Sequence, residues 1–375
     1  MIPLLIDALL APERARIPED EPAWKQFFAL ATQHGVAPLL WLRLGKRELP
    51  AAARAQLQSI YLRNVIRIEA LQAETAALIA ALATAGVPVW TLKGPEVGRR
   101  LYGDSAARMV NDIDLLTRPS DFAAADLALA GAGYSRQARG DFSVFADAQE
   151  LLYVKPTGQQ DGTPFAVDLH QRLQPYAPRD PFAERIRSAG FTEENLLLYL
   201  CLNEVTHRFA YFKHFLDVEA QLRRCGAAMQ WEQFLAAARE LDVVPGIFHA
   251  LDLSVRFAGA PVPDAVVQAL APRASEATRF RRRVGATLQE FLARGPLRDG
   301  PGGARVTLLC MNPGAVRRQA LWRMLVPPES YLRQELSADP REPLLKLRVR
   351  RWLRKLRTAP GPIAAAGTWS LLEKQ

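Results

Sequence analysis

Apolar positions along the chain change their spacing twice. Over residues 1–86 they recur every three or four residues, the period of helices buried on one face. "PAWKQFFALATQHGVAPLLWLRL" keeps this period on both sides of a break at "HGVAP". Residues 51–85 continue it as one long Ala- and Leu-rich helix through Ile60, Ile66, Leu71, Leu78 and Leu82. Gly86 supplies a stop, and Pro88 prevents continuation. At "VPVWTLKG", 87–94, the pattern becomes that of a short strand ending at Gly94. "PEVGRRLY" then opens a helix whose first turn accommodates Pro95. An acidic strand over 110–117 follows, then a helix from about 119 to 131 with Ser120 as its N-cap. Ala123 stands where a capping box would carry Glu. "FSVFAD", "ELLYVKP" and "FAVDLHQRL" read as further strands. From about 181 to 270 the helical period returns, with Thr192, Glu193 and Glu194 starting the first of four helices.

This order predicts an α+β fold: a small mixed sheet with helices on one side, flanked by N- and C-terminal helical regions. The expected organisation is a helical region over 1–86, the sheet-bearing domain over 87–180, a helical domain over 181–270 and a basic Pro/Arg-rich region over 271–375. In the last region "RFRRR" spans 279–283, "ARGPLRDGPGGARV" reads as a flexible loop, and "REPLLKLRVRRWLRKLR", 341–357, carries eight basic residues against one acidic.

Composition narrows the function classes. With 375 residues and 49% hydrophobic content, the chain can bury a sizeable core. No apolar run approaches the roughly 18–20 residues of a membrane span. "MIPLLIDALLAPERAR" lacks a basic leading segment and carries Asp7, so it reads as a helix and not a signal peptide. Cys201, Cys225 and Cys310 lie far apart, which argues against a disulfide framework or zinc site and fits a reducing cytoplasm. A net charge of +9 and a pI near 9.7 favour acidic partners without choosing among them.

The candidate chemistry centres on "RMVNDIDLLTR". On a strand, Asp112 and Asp114 share one face while Ile113 and Leu115 take the other. Two like charges so placed repel, and a divalent cation such as Mg²⁺ offsets that repulsion. Two-metal phosphoryl chemistry calls for a third carboxylate. Asp168 in "FAVDLHQRL" is the candidate, with Val167 and Leu169 facing the core and Asp168 and His170 on the open side. Lys93 and Gly94 stand where a strand turns into a helix, a fair phosphate site. Arg108 is placed to pair with Asp112, with Asp104 or with a phosphate. Taken alone, the Asp pair is as well explained by a solvated strand face, and Lys93 by a surface lysine. The conjunction in this order favours a metal site. His207, Lys213, His214 and Asp217 cluster on one predicted helical pair. They line the cleft, or, for Asp217, cap a neighbouring helix.

The order "LKG…LY…R…NDIDLL", a helix ending "GAGY", then "VDLHQRL", resembles the uncharacterised nucleotidyltransferase family of the polymerase-beta-like superfamily. Similarity extends over most of the chain, through "HGVAPLLWLRL", "LLLYLCLNEVTHRF" and "LVPPESYLRQEL". The resemblance implies transfer of a nucleoside monophosphate from an NTP to an acceptor hydroxyl. Mg²⁺ or Mn²⁺ would be held by Asp112, Asp114 and Asp168, which are also the catalytic residues. Nucleotide and cofactor contacts would fall to Lys93, Gly94, Arg108 and His170. Acceptors open on this reading are a sugar phosphate, a glycan intermediate, or a peptide or protein hydroxyl. The turn reads Lys-Gly-Pro where the superfamily usually carries Gly-Ser or Gly-Gly, so the missing Ser's work is assigned to Lys93. A catalytically inactive interaction protein of the same fold, and an antitoxin-like enzyme that modifies a protein, are the competing classes. The basic tail has three readings: a solvated amphipathic helix, a contact with an anionic membrane surface at the inner face, or a grip on nucleic acid. Apolar spacing alone favours the first, and nucleic acid is the weakest.

Overall fold

Four helices precede the sheet in the computed structural model, which describes residues 1–16, 18, 20–137, 150–157, 163–174, 180–294, 301–326, 329, 332, 336 and 341–357. They are α1 (Ile2–Leu10), α2 (Glu21–Gln33), α3 (Ala37–Leu44) and α4 (Ala51–Thr84). The Asp20 carboxylate caps α2 by accepting from Ala23 N at 2.8 Å. The break at "HGVAP" falls between α2 and α3. The 34 residues of α4 make it roughly 50 Å long. Gly86, at φ +72°, closes it: Gly86 N donates to Ala83 O and Val87 N to Leu82 O, each at 2.9 Å. This pair of bonds is the left-handed helix stop that the sequence predicts.

The sheet is built from β1 (Val89–Thr91), β2 (Asp112–Thr117), β3 (Ser135–Arg136), β4 (Glu150–Lys155) and β5 (Phe165–His170), in the order β1-β2-β5-β4-β3. Only β2 and β5 run parallel; the other pairings are antiparallel, so the sheet is mixed as expected. A parallel pair needs a long crossover. Here it is supplied by α6 (Phe122–Gly131), β3 and β4. The run "FSVFAD" lies outside the described residues. Asp121, not Ser120, occupies the N-cap of α6, because residues 119–121 form a separate 3-10 turn that absorbs Ser120.

Strand alternation splits β2 between two cores. Ile113 and Leu115 pack with Val167 and Leu169 against Ile68, Leu71, Leu78 and Leu82 of α4 and Ala125 and Leu129 of α6. Leu115 is fully buried, and cutting it to Ala would cost about 2–5 kcal/mol. Leu116, on the other face, joins Leu92 in the large helical core. The Asp face is therefore covered as well: α4 and α6 fill one side, while the second side lies under α5 (Pro95–Tyr102) and the later helices. Asp168, expected on an open side, is only 8% exposed for this reason.

Those helices are α7 (Pro181–Ala189), α8 (Glu193–Thr206), α9 (Phe212–Cys225), α10 (Trp231–Arg239), α11 (Val244–Ala258), α12 (Asp264–Leu270), α13 (Ala274–Val284), α14 (Leu288–Arg294), α15 (Pro301–Cys310), α16 (Ala315–Leu325) and α17 (Leu344–Arg357). Thr192 caps α8 through Asn195 N at 3.2 Å, as its position implies. The stretch expected to be a flexible loop is helical from Pro301 onward. Proline suits a first helical turn, and burial of Val306, Thr307 and Cys310 outweighs the low propensity of the glycines.

Candidate active site

The long helix α4 fixes the frame of the site. Arg67 Nη2 donates to Asn111 O and Pro164 O, both at 3.0 Å, tying together the chain entering β2 and β5. Asn64 Nδ2 donates to Ala106 O at 2.8 Å and Arg108 O at 3.1 Å. These bonds hold the segment that leads from α5 into β2. The result is a parallel register in which Asp114 stands directly opposite Asp168 and Leu116 opposite His170. Ligand atoms of Asp114, Asp168 and His170 all lie within 4.8 Å of one another. His170 Nε2 is 3.1 Å from Asp114 Oδ1. Asp112, opposite Ala166, stands one pleat away and is not part of this triad.

Lys93 joins the two Asp residues of the D-x-D strand. Leu92 N donates to Asp114 O at 3.0 Å, extending the β1–β2 pairing. The next residue sends its ammonium to 3.1 Å from Asp114 Oδ1 and 3.5 Å from Asp112 Oδ2. Gly94 follows at φ +106°, where an L side chain is strained, and serves as N-cap of α5. Burial works against charge on Lys93, yet Asp112, Asp114 and Asp168 overcome it and raise its pKa well above the ordinary value. Burial likewise opposes charge on Asp112, but Lys93, Lys213 and His207 lower its pKa to about 2. Asp112 and Lys93 are thus an ionised pair at neutral pH. The first counter-ion of the D-x-D carboxylates is a lysine of the chain itself. One atom stays unsatisfied: Asp114 Oδ2 is buried and has no hydrogen-bond partner among the described residues. Such an oxygen needs an explanation. Beside a second carboxylate and an imidazole it fits a divalent cation, which accepts oxygen and nitrogen donors together.

Arg108 takes a partner that its sequence neighbours do not suggest. Its Nε donates to Asp217 Oδ2 at 2.8 Å, rather than to Asp112 or Asp104, and the guanidinium is buried. Asp217 Oδ1 accepts from Tyr102 OH at 2.8 Å, so each Asp217 oxygen bonds a side chain. Asp104 is used elsewhere, by Tyr61 OH at 2.6 Å and Ala106 N at 2.7 Å.

The corner between α8 and α9 carries the remaining cations. Its backbone bends through Arg208 at φ +53° and Phe209 at φ +58°. Left-handed conformations cost such residues roughly 1–2 kcal/mol each. Bonds from Phe209 N to Glu204 O at 2.8 Å and from Arg208 N to Val205 O at 3.0 Å hold the bend. It sets the His207 and His214 rings 5.2 Å apart and puts Lys213 Nζ 3.3 Å from Met109 O. Lys213 is half-buried, and desolvation together with Arg108 and Lys93 lowers its pKa to about 7 against the pull of Asp217 and Asp112. His214 Nδ1 is buried without a partner among the described residues. Tyr199, on α8, is coupled electrostatically to Asp114, Lys93 and Asp112. Sequence reasoning missed it. The available signal is Tyr199, Asn203 and His207 at four-residue spacing along the helix that contains the apolar run 196–202.

A mixed sheet that sets one Asp of a D-x-D strand opposite a third Asp, beside a glycine turn opening a helix, defines a nucleotidyltransferase-like α+β enzyme. The chain belongs to the uncharacterised nucleotidyltransferase family, whose model matches residues 20–259, from the start of α2 to the end of α11. It is a transferase of that family. No curated protein and no solved structure matches the chain.

Proposed function

We propose that the enzyme transfers a nucleoside monophosphate from an NTP to an acceptor hydroxyl at the Asp114–Asp168 strand pair. The observation that supports this most is the convergence of ligand atoms of Asp114, Asp168 and His170 within 4.8 Å, beside a buried Asp114 oxygen with no hydrogen-bond partner among the described residues. These three residues, with Asp112, would hold Mg²⁺ or Mn²⁺. When bound, the ion neutralises phosphate charge and acidifies the acceptor hydroxyl.

The chain's own groups do the rest. The acceptor oxygen bonds to the α-phosphorus as the bond to the β-phosphate oxygen breaks, and pyrophosphate leaves. Asp168 takes the hydroxyl proton. Lys93 is freed from the carboxylates to face the phosphates, and Gly94 lets the backbone come close to them. Lys213, which already acts on Asp112 through space, supplies positive charge in its protonated form. Arg108 acts through the corner: paired with Asp217, it fixes the segment entering β2 against α9 and keeps Lys213 oriented. Most of the rate enhancement is then positioning and charge stabilisation. A sugar phosphate, a glycan intermediate, or a peptide or protein hydroxyl each satisfies the acceptor's role.

The test is incubation with Mg²⁺ or Mn²⁺ and each labelled NTP, with and without cell extract, following pyrophosphate and labelled product. Asp114→Asn and Asp168→Asn should each lower the rate about 10³-fold, since a lost metal ligand removes several kcal/mol of charge stabilisation. Mn²⁺ should raise the Tm of the native enzyme and leave that of Asp114→Asn unchanged. If no NTP is consumed and no metal shifts the native Tm, the reading fails. A labelled protein band would mark the acceptor as protein.

A further inference from the structure

The basic tail gains a meaning from how α17 sits. In the sequence LLKLRVRRWLRKLR, Leu345, Val349 and Leu353 recur every four residues and share one helix face. Positions 352 and 356 repeat that register with Trp and Leu. A surface helix normally turns such a stripe inward. Here Leu347 and Arg351 face the protein, 0% and 3% exposed, while Leu345, Val349 and Leu353 are 73%, 50% and 48% exposed. The helix thus rests on the body through a flank and presents its apolar face outward. Lys346, Arg348 and Arg350 are exposed on the same helix, whose sequence carries seven basic residues and no acidic one. Glu342, just before it, pairs with Lys346 at 3.3 Å and Arg350 at 2.6 Å, leaving a large positive excess. A second exposed apolar group, Leu321, Trp322 and Leu325, occurs on α16.

We propose that α17 docks in the plane of an anionic lipid bilayer. Charge complementarity and the outward stripe together select this occupant. Nucleic acid would satisfy the cations and leave the apolar stripe in contact with water or phosphate. A second copy of the chain would bring seven cations against seven. A bilayer surface with acidic headgroups takes both: apolar side chains enter the acyl boundary, and Lys and Arg stems reach the phosphates. No described helix is long and apolar enough to cross a membrane, so the contact is interfacial. The α17 segment also lies outside the span matched by the family model. The proposal therefore stands independently of the catalytic reading.

The full-length protein is sedimented with phosphatidylcholine vesicles that do or do not contain phosphatidylglycerol. Binding should be at least about tenfold stronger with the anionic lipid, as expected when several basic residues meet acidic headgroups, and should weaken with salt. Leu345→Glu, Val349→Glu and Leu353→Glu together should lower binding about a hundredfold, since each loses the burial of a large apolar side chain. The Tm and NTP turnover should not change. Val349→Asp alone should give a smaller loss and serves if the triple variant fails to fold. Equal or no binding to both vesicle types overturns the proposal. So does a duplex DNA or RNA complex insensitive to the triple variant, or a dimer that the triple variant dissolves.

Discussion

Two buried carboxylates, Asp114 and Asp217, are treated differently by their surroundings. Asp217 is closed: Oδ1 accepts from Tyr102 OH and Oδ2 from Arg108 Nε, both at 2.8 Å. Asp114 is open: Lys93 and His170 share Oδ1 at 3.1 Å, and Oδ2 has no hydrogen-bond partner among the described residues. Both residues are almost fully buried. Burial is therefore not what separates a structural carboxylate from a candidate catalytic one; satisfaction is. A closed pair holds two elements together, here α5 and α9. An open one stores capacity for a ligand.

Replacement should expose that difference most strongly. Asp217→Ala leaves the Arg108 cation buried and unpaired, and should cost about 3–5 kcal/mol in urea unfolding. Asp114→Asn keeps the volume and leaves Lys93 its second partner, Asp112, so it should cost less than about 1 kcal/mol. Equal losses would break the comparison. Acid offers an intermediate effect at a third buried group, His34. Its Nε2 lies 3.4 Å from Leu292 O, and burial lowers its pKa to about 4. The unfolded chain takes the proton near pH 6.5, before the folded one does. Stability should thus be complete above pH 6.5 and fall as pH drops toward 4, by roughly 3 kcal/mol from this residue. His34→Gln should flatten that part of the slope. A smaller effect than that of His34 belongs to Tyr102→Phe, which removes one of Asp217's two bonds while Arg108 remains. A loss of about 1 kcal/mol is expected, with the metal-dependent Tm shift retained.

Much of the fold was legible because it rests on local periods. The D-x-D alternation, the Lys-Gly turn and the Gly86 stop all depend on residues a few positions apart. So does the run of helices after residue 190. Asp168 was also reachable, from the two-residue period of "FAVDLH". The errors share one cause. Arg108 was weighed against Asp112 and Asp104, its near neighbours, whereas its partner lies 109 residues along the chain. Ser120 was read as a cap from its type, but a 3-10 turn displaced it. The stretch 301–306 reads as a loop by composition, and packing makes it helical.

The sequence by itself determined which side chains share a face and which residue types are available for chemistry, because adjacent covalent geometry sets both. Only the tertiary structure decided that Asp114 stands opposite Asp168, that Lys93 bridges the Asp pair, and that Lys213 and His207 look on from another helical pair. Strand register and burial depend on residues far apart in the chain, and the energy that fixes them comes from the whole core at once.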